Sequence, residues 1–218
     1  EAVRSAAGTK RRGRNLPHPT ARRRRMRSIL LLRHGPADQS APDAFIGRTN
    51  PALTEQGREI AKAAGRRLSH LQIGGVYTSP LIRCVQTGRL LGLENLPVET
   101  VEGLAERDFG AWEGRSRAEC RRDEAAWAEF AAPDGAPPQG ESVSAFHTRV
   151  IDAYNDLLDK TDDKPVILIV AHQSVICAIA ADALGLGMEG AYHFRCMPGS
   201  LAQIDYADGF ATLSRWNG

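Results

Sequence analysis

Short aliphatic runs recur along this chain, each bounded by turn residues and each followed by a stretch of helical period. The first, Ile29–Leu32 in SILLLRHGPADQS, has no polar alternation and so fits a strand buried on both faces of a parallel sheet. LTEQGREIAKAAGRRLSHL predicts a helix, with Thr54 as N-cap and Ile60, Ala64 and Leu68 on one face. GGVYTSP predicts a short strand ending at Ser79. PLIRCVQTGRLLGL then predicts a helix with Pro80 in its first turn and Gly92 at its end. LPVETVEGLAERDFGAWEGRS reads as one strand followed by a loop, and Arg117 to Phe130 as a strongly charged helix. After the Pro/Gly-rich AAPDGAPPQGES, a helix resumes from Glu141 to Lys160. PVILIVAH, Pro165 to His172, is the most apolar strand, and QSVICAIAADALGL an apolar helix ending near Gly185. SLAQIDYADGFATLSRW closes the chain as a hairpin around Asp208-Gly209. Strands alternating with helices predict an α/β fold, a three-layer α/β/α sandwich around a mostly parallel central sheet.

Composition narrows the class. With 218 residues and 42% hydrophobic positions, the chain can bury a sizeable core in one domain. No apolar run approaches the ~18–20 residues of a membrane span, and the charged, small first residues show no secretory signal. The cysteines, Cys84, Cys120, Cys177 and Cys196, have no paired or zinc-like spacing, which points to free thiols in a reducing compartment, the cytoplasm. Charge is unevenly divided. Residues 1–27 hold ten Lys or Arg against Glu1, whereas residues 28–218 hold 18 basic and 25 acidic residues. The first segment therefore reads as a basic, disordered arm or linker ahead of a domain spanning 28–218. A solvated tail is the favoured role for the arm, and contact with nucleic acid or another polyanion is the alternative. The chain begins at Glu1 rather than Met, as a piece cut from a longer product would.

The polar strand ends carry the chemistry. Ile29–Leu32 runs into Arg33 and His34; PVILIVAH ends in His172; the strand before SPLIRC opens into a helix bearing Arg83. Each has an ordinary explanation alone, but three parallel strands ending this way converge on one crevice at the carboxyl edge of the sheet. A neutral imidazole is a competent nucleophile toward phosphorus, which suits His34. Guanidinium forks match phosphate oxygens, which suits Arg33 and Arg83. His172 would donate to the charge on the equatorial oxygens. Glu106, in the Gly- and aromatic-rich LAERDFGAWEG, is the candidate acid for the leaving oxygen and later the base for attacking water.

The segments LLRHG, LTEQGR, YTSPLIRCVQT, LAERDFGAWEG, GES and VAH, in this order, resemble the histidine phosphatase superfamily, with its phosphoglycerate mutase-like fold. The resemblance covers about Ile29 to Trp216. It implies a phosphorylated His34, a phosphoryl group held by Arg33 and Arg83, a pocket completed by His172, proton donation by Glu106, and no metal or cofactor. The chain departs from the family pattern in two places. Ser40, in PADQS, stands near a position where the family has a phosphate-binding Asn, and can donate one hydrogen bond. Gln173 and Ser174 stand where small residues usually follow the second histidine, so they narrow the pocket or contact the leaving group. In FIGRTNPALT, Gly47 is expected to offer its backbone N–H to substrate, with Arg48 or Thr49 at the entrance.

The interval from Arg107 to Gln139 is short beside the covering insertion usual in mutases of this fold, so water should reach the phosphohistidine. The expected activity is therefore metal-independent hydrolysis of a small phosphomonoester, α-ribazole phosphate or a sugar phosphate. The alternatives are a phosphoglycerate mutase and, from another class, an inactive phospho-ligand or polyanion-binding protein. Substrate choice is expected from Phe45, Arg48, Arg107, Arg115 and the Ala131–Gln139 loop. His18, His70 and His147 are expected on the surface and His193 near the pocket rim. Trp112 should pack under the Glu106 loop, Glu141 should favour a helix start, and Gly35 should keep a side chain away from the phosphate.

Overall fold

The computed structural model describes residues 26–38 and 43–218. The basic segment up to residue 25, with His18, and the candidate Ser40 lie outside the described residues. The sheet has six strands: β1 (Arg27–Arg33), β2 (Val76–Thr78), β3 (Val98–Thr100), β4 (Val166–Ala171), β5 (Leu201–Ala207) and β6 (Phe210–Arg215). Their order is β3-β2-β4-β1-β5-β6. The first four in that order run parallel, β5 is antiparallel to β1, and β6 pairs antiparallel with β5.

The uninterrupted aliphatic runs are explained by burial on both faces. Ile29 and Leu31 of β1, with Ile167 and Ile169 of β4, pack in one core with Phe146, Val150 and Tyr154 of α5 (Val143–Lys160) and Ile176 of α6 (Gln173–Ala183). Leu30 and Leu32, with Leu168 and Val170, face Ala64 and Leu68 of α1 (Glu55–Leu68) and Cys84 of α2 (Ile82–Arg89). These two cores make the three layers expected from the sequence.

Local details follow the side chains. Thr54 caps α1, its hydroxyl accepting from the Gly57 N–H at 3.0 Å. Asp208 and Gly209, both with positive φ, turn the β5–β6 hairpin. The α1 face is set by Gly57, Ala61, Ala64, Gly65 and Leu68, while Ile60 is only half-buried. Gly57 accounts for Gly35 as well. A Cβ on Gly35 would meet the Gly57 carbonyl oxygen at 2.6 Å, so backbone contact with the start of α1 by itself demands glycine there.

Two expected elements change. Pro80 lies outside the first turn of α2, because Leu81 is the N-cap and the helix begins at Ile82. The charged stretch 117–130 is split into α3 (Arg117–Cys120), closed by a Ser116–Glu119 capping box, and α4 (Glu124–Phe130), capped by Asp123. Both caps satisfy backbone N–H groups more locally than one continuous helix would. These helices pack Phe45, Phe109, Trp112, Trp127 and Phe130 into a small aromatic core of their own. A four-residue α7 (Gly187–Gly190) follows α6.

Leu31 is fully buried between β4 and β5. Leu31→Ala should therefore cost about 2–5 kcal/mol of stability, read as a lower urea midpoint at unchanged slope.

Candidate active site

The strand ladder builds the site. β1 and β4 are paired with Arg33 opposite Ala171, so the next residue on each strand, His34 and His172, leaves the sheet side by side. Their ring centroids are 5.0 Å apart, at an interplanar angle of 67°. β2, on the other side of β4, places Thr78 opposite Val170. Ser79, one residue on, puts its hydroxyl 2.7 Å from Nε2 of His172. The first turn of α2 then carries Arg83, which is 1% exposed.

Both arginines are held by neutral oxygens. Arg83 donates at 2.8 Å to each of the Thr49 and Gly47 carbonyls. Arg33 donates to Oε1 of Gln173 at 2.8 Å and to the Cys196 carbonyl at 2.5 Å. Among the described residues neither guanidinium forms an ion pair. Their charge is therefore left for a bound anion. Glu106 closes the site, its Oε1 accepting from the Arg107 N–H at 2.9 Å, with the Ser174 N–H and hydroxyl turned toward the same carboxyl. Arg33, His34, Arg83, Glu106, His172 and Gln173 line one pocket of about 320 Å³.

Burial sets the protonation states. Desolvation first, then the Arg83 charge, holds His34 down to about 3, against a weaker opposing hydrogen bond to the Gly35 carbonyl. Its ring is therefore neutral at pH 7. Nδ1 lies 2.7 Å from that carbonyl, which can only accept, so Nδ1 carries the proton and Nε2 the lone pair. His172 is pushed well below the ordinary histidine range by desolvation and then by His34 and Arg83. Glu106 moves upward, because desolvation outweighs the Arg107 N–H, the Arg83 charge and the Ser174 donors. The pocket thus pairs a nucleophilic nitrogen with an acid whose proton is retained more strongly than usual.

A second cavity, of about 490 Å³, adjoins the first through Gln173. Phe45, Phe109, Phe130, Arg107 and His147 are among its walls. The Arg107 guanidinium lies over Phe130 at 5.3 Å, and that of Arg117 over Phe45 at 4.7 Å. Ala131 and Ala132, from the loop expected to govern substrate choice, also line it.

Most predicted residues converge, but several are used differently. Gly47 gives its N–H to Glu113 Oε2 at 3.1 Å rather than to the pocket, and reaches the site through Arg83. Thr49 likewise acts through its carbonyl. Glu141 does not serve as a helix-start charge. It forms a two-armed ion pair with Arg149 (2.8 Å on each arm), whose Nη1 also donates to the Gly103 and Ala105 carbonyls in the segment leading to Glu106. His70 and His193 are exposed, but His147 is half-buried, with Nε2 enclosed and unpartnered. Its spacing of four from Val143 and three from Val150 already places it on the core face of α5. Ser174 as an anchor for Glu106, and Glu113 as an anchor for 47–49, have no periodic signal that reveals them.

Two histidines, two arginines and a carboxyl, each carried by one of the sequence motifs, thus meet in one pocket. The chain belongs to the histidine phosphatase superfamily (branch 1), whose model matches residues 29–218. An adenosylcobalamin/α-ribazole phosphatase from Salmonella typhimurium is 32% identical over 87% of this chain and 95% of its own length. A 2,3-bisphosphoglycerate-dependent phosphoglycerate mutase from Methylobacterium radiotolerans is 32% identical over 73% of this chain and 80% of its own. The crystal structure of the α-ribazole phosphatase from Shigella flexneri superposes with a TM-score of 0.82 at 30% identity, covering 88% of this chain and 96% of the other. No described helix is long and apolar enough to cross a membrane.

Because folding lowers the pKa of His34 from 6.5 to about 3, the unfolded chain binds a proton that the folded chain refuses between those values. The stability due to this group is complete above pH 6.5 and falls as pH drops toward 3. His34→Asn should flatten the dependence of unfolding free energy on pH across that window, measured by urea titrations from pH 3.5 to 7.

Proposed function

We propose that the chain is a phosphomonoesterase working through a phosphohistidine at His34, without metal. The observation that carries this reading is a neutral His34, its Nε2 free, in one pocket with Arg33, Arg83, His172 and the proton-retaining Glu106. Nε2 attacks phosphorus as the P–O bond to the leaving group breaks. Arg33 and Arg83 hold the non-bridging oxygens, and His172 stabilises their charge. Glu106 gives its proton to the departing oxygen, leaving an alcohol. The resulting carboxylate takes a proton from water, whose oxygen attacks the phosphohistidine and releases phosphate with His34 restored.

The aromatic cavity beyond Gln173 supports a leaving alcohol with a flat ring, such as that of α-ribazole phosphate, over a bare sugar phosphate. Likeness to the Salmonella enzyme points the same way. The mutase relative favours a second reading, transfer of the phosphoryl group between hydroxyls of a phosphoglycerate. Against it, the 107–139 interval packs into the cavity wall through Phe130, Ala131 and Ala132.

Hydrolysis of p-nitrophenyl phosphate should persist in EDTA and fall about 10³-fold or more in His34→Ala. Absence of turnover on a panel of phosphomonoesters would leave the ligand-binding alternative instead. Incubation with 3-phosphoglycerate and a trace of 2,3-bisphosphoglycerate should release phosphate; isomerisation without release would establish the mutase. Within a phosphatase, Phe130→Ala should raise KM about tenfold for α-ribazole phosphate and leave glucose 6-phosphate nearly unaffected, because only the former loses ring contact.

A further inference from the structure

Glu113 collects an unusual set of partners for a carboxylate. It follows the 3₁₀ turn Gly110–Trp112 and is half-buried. Oε1 accepts from the backbone N–H groups of Arg48 at 2.7 Å and Phe109 at 3.1 Å. Oε2 accepts from the N–H groups of Gly47 at 3.1 Å and Thr49 at 2.9 Å, and from the Thr49 hydroxyl. Three consecutive N–H groups of one loop thus converge on this anion, and among the described residues no cationic side chain forms an ion pair with it.

The same loop turns its carbonyls the opposite way. Gly47 and Thr49 each accept from Arg83 at 2.8 Å, one on each terminal nitrogen. The peptide groups from 47 to 49 therefore bridge a carboxylate on one side and a guanidinium on the other. In the Gly47–Arg48 peptide the N–H faces the carboxylate and the C=O faces the guanidinium, so hydrogen bonds at its two ends polarise one another and the carboxylate strengthens the Gly47 carbonyl that orients the cation. It does this from a distance and leaves the Arg83 charge unneutralised. The bridge has no slack: a Cβ on Gly47 would lie 2.0 Å from the Arg107 carbonyl oxygen and 2.5 Å from Oε1 of Glu113. Through the Phe109 N–H, the same carboxylate also ties this loop to the segment that carries Glu106.

We propose that Glu113 is the positioning residue for Arg83, setting the direction of its fork through the 47–49 loop without touching substrate. The inference rests on the reading of Arg83 as a phosphoryl clamp. Glu113→Gln tests it, because each carboxylate oxygen faces two backbone N–H donors. Whichever oxygen becomes the amide nitrogen opposes two N–H groups, and the loop must tilt. An error of about 1 Å at a reacting group costs on the order of 10²-fold. Orthovanadate affinity, measured by calorimetry, reads the clamp without requiring turnover, so it stays informative even if the phosphatase reading fails.

The expected result is a 10- to 100-fold loss of orthovanadate affinity in Glu113→Gln, about 1.4–2.7 kcal/mol by the tenfold constant, and a matching fall in kcat/KM. Against an Arg83→Ala background the same substitution should add little, because the group it positions is gone. A merely structural role predicts the opposite: a lowered melting temperature, with losses that multiply in the double variant. Unchanged orthovanadate affinity, or independent losses, would overturn the proposal. If Glu113→Gln does not fold, Thr49→Val removes one exposed donor to the carboxylate; it should give a smaller loss that is likewise absent without Arg83, and wild-type affinity in it would overturn the proposal equally.

Discussion

From Ser28 to Arg33, successive residues of β1 pair in parallel with β4, and the two strands leave the sheet at the same level carrying His34 and His172. The separation of the imidazoles is thus a property of the ladder. It is protected by the hydrophobic core on either side, because Ile29 and Leu31 belong to one helical layer and Leu30 and Leu32 to the other. A slip of one residue would exchange every one of those contacts. The geometry of the pocket is therefore guarded by the whole core rather than by bonds among its polar groups.

Upon that frame, desolvation sorts the charges. His34 and His172 are driven toward the neutral form and Glu106 toward the protonated one, while the arginines, with their far higher pKa values, retain charge. Carbonyl groups, not carboxylates, hold both guanidiniums. The outcome is a cationic pocket with few competing anions, as the proposed phosphoryl clamp requires. Carboxylates are displaced to an outer ring, where Glu141 fixes Arg149 beneath the Glu106 loop and Glu113 gathers the 47–49 loop.

The junction of β4 and α6 condenses this arrangement into three consecutive residues. His172 stands beside His34, Gln173 holds Arg33, and Ser174 faces Glu106. Side chains at 173 and 174 were expected to narrow the pocket or touch the leaving group. Gln173 does form a wall of both cavities, but it also holds Arg33, and Ser174 faces Glu106.

Runs of aliphatic residues, their lengths and the polar residues that end them are local facts, and they made the sheet, the layers and five converging side chains legible from the sequence by itself. Thr54 as a cap and Asp208-Gly209 as a turn were legible for the same reason, since their partners are within three residues. What only the tertiary structure decided involves distant backbone. Gly35 answers to Gly57, Gly47 to Glu113 and Arg107, Glu141 to Arg149, and the Nε2 of His147 is enclosed beside an aromatic cavity. A backbone N–H is the same donor at nearly every residue, so no pattern of residue types announces which carboxylate will meet it. That pairing exists only once folding has brought two loops, more than sixty residues apart in the chain, into contact.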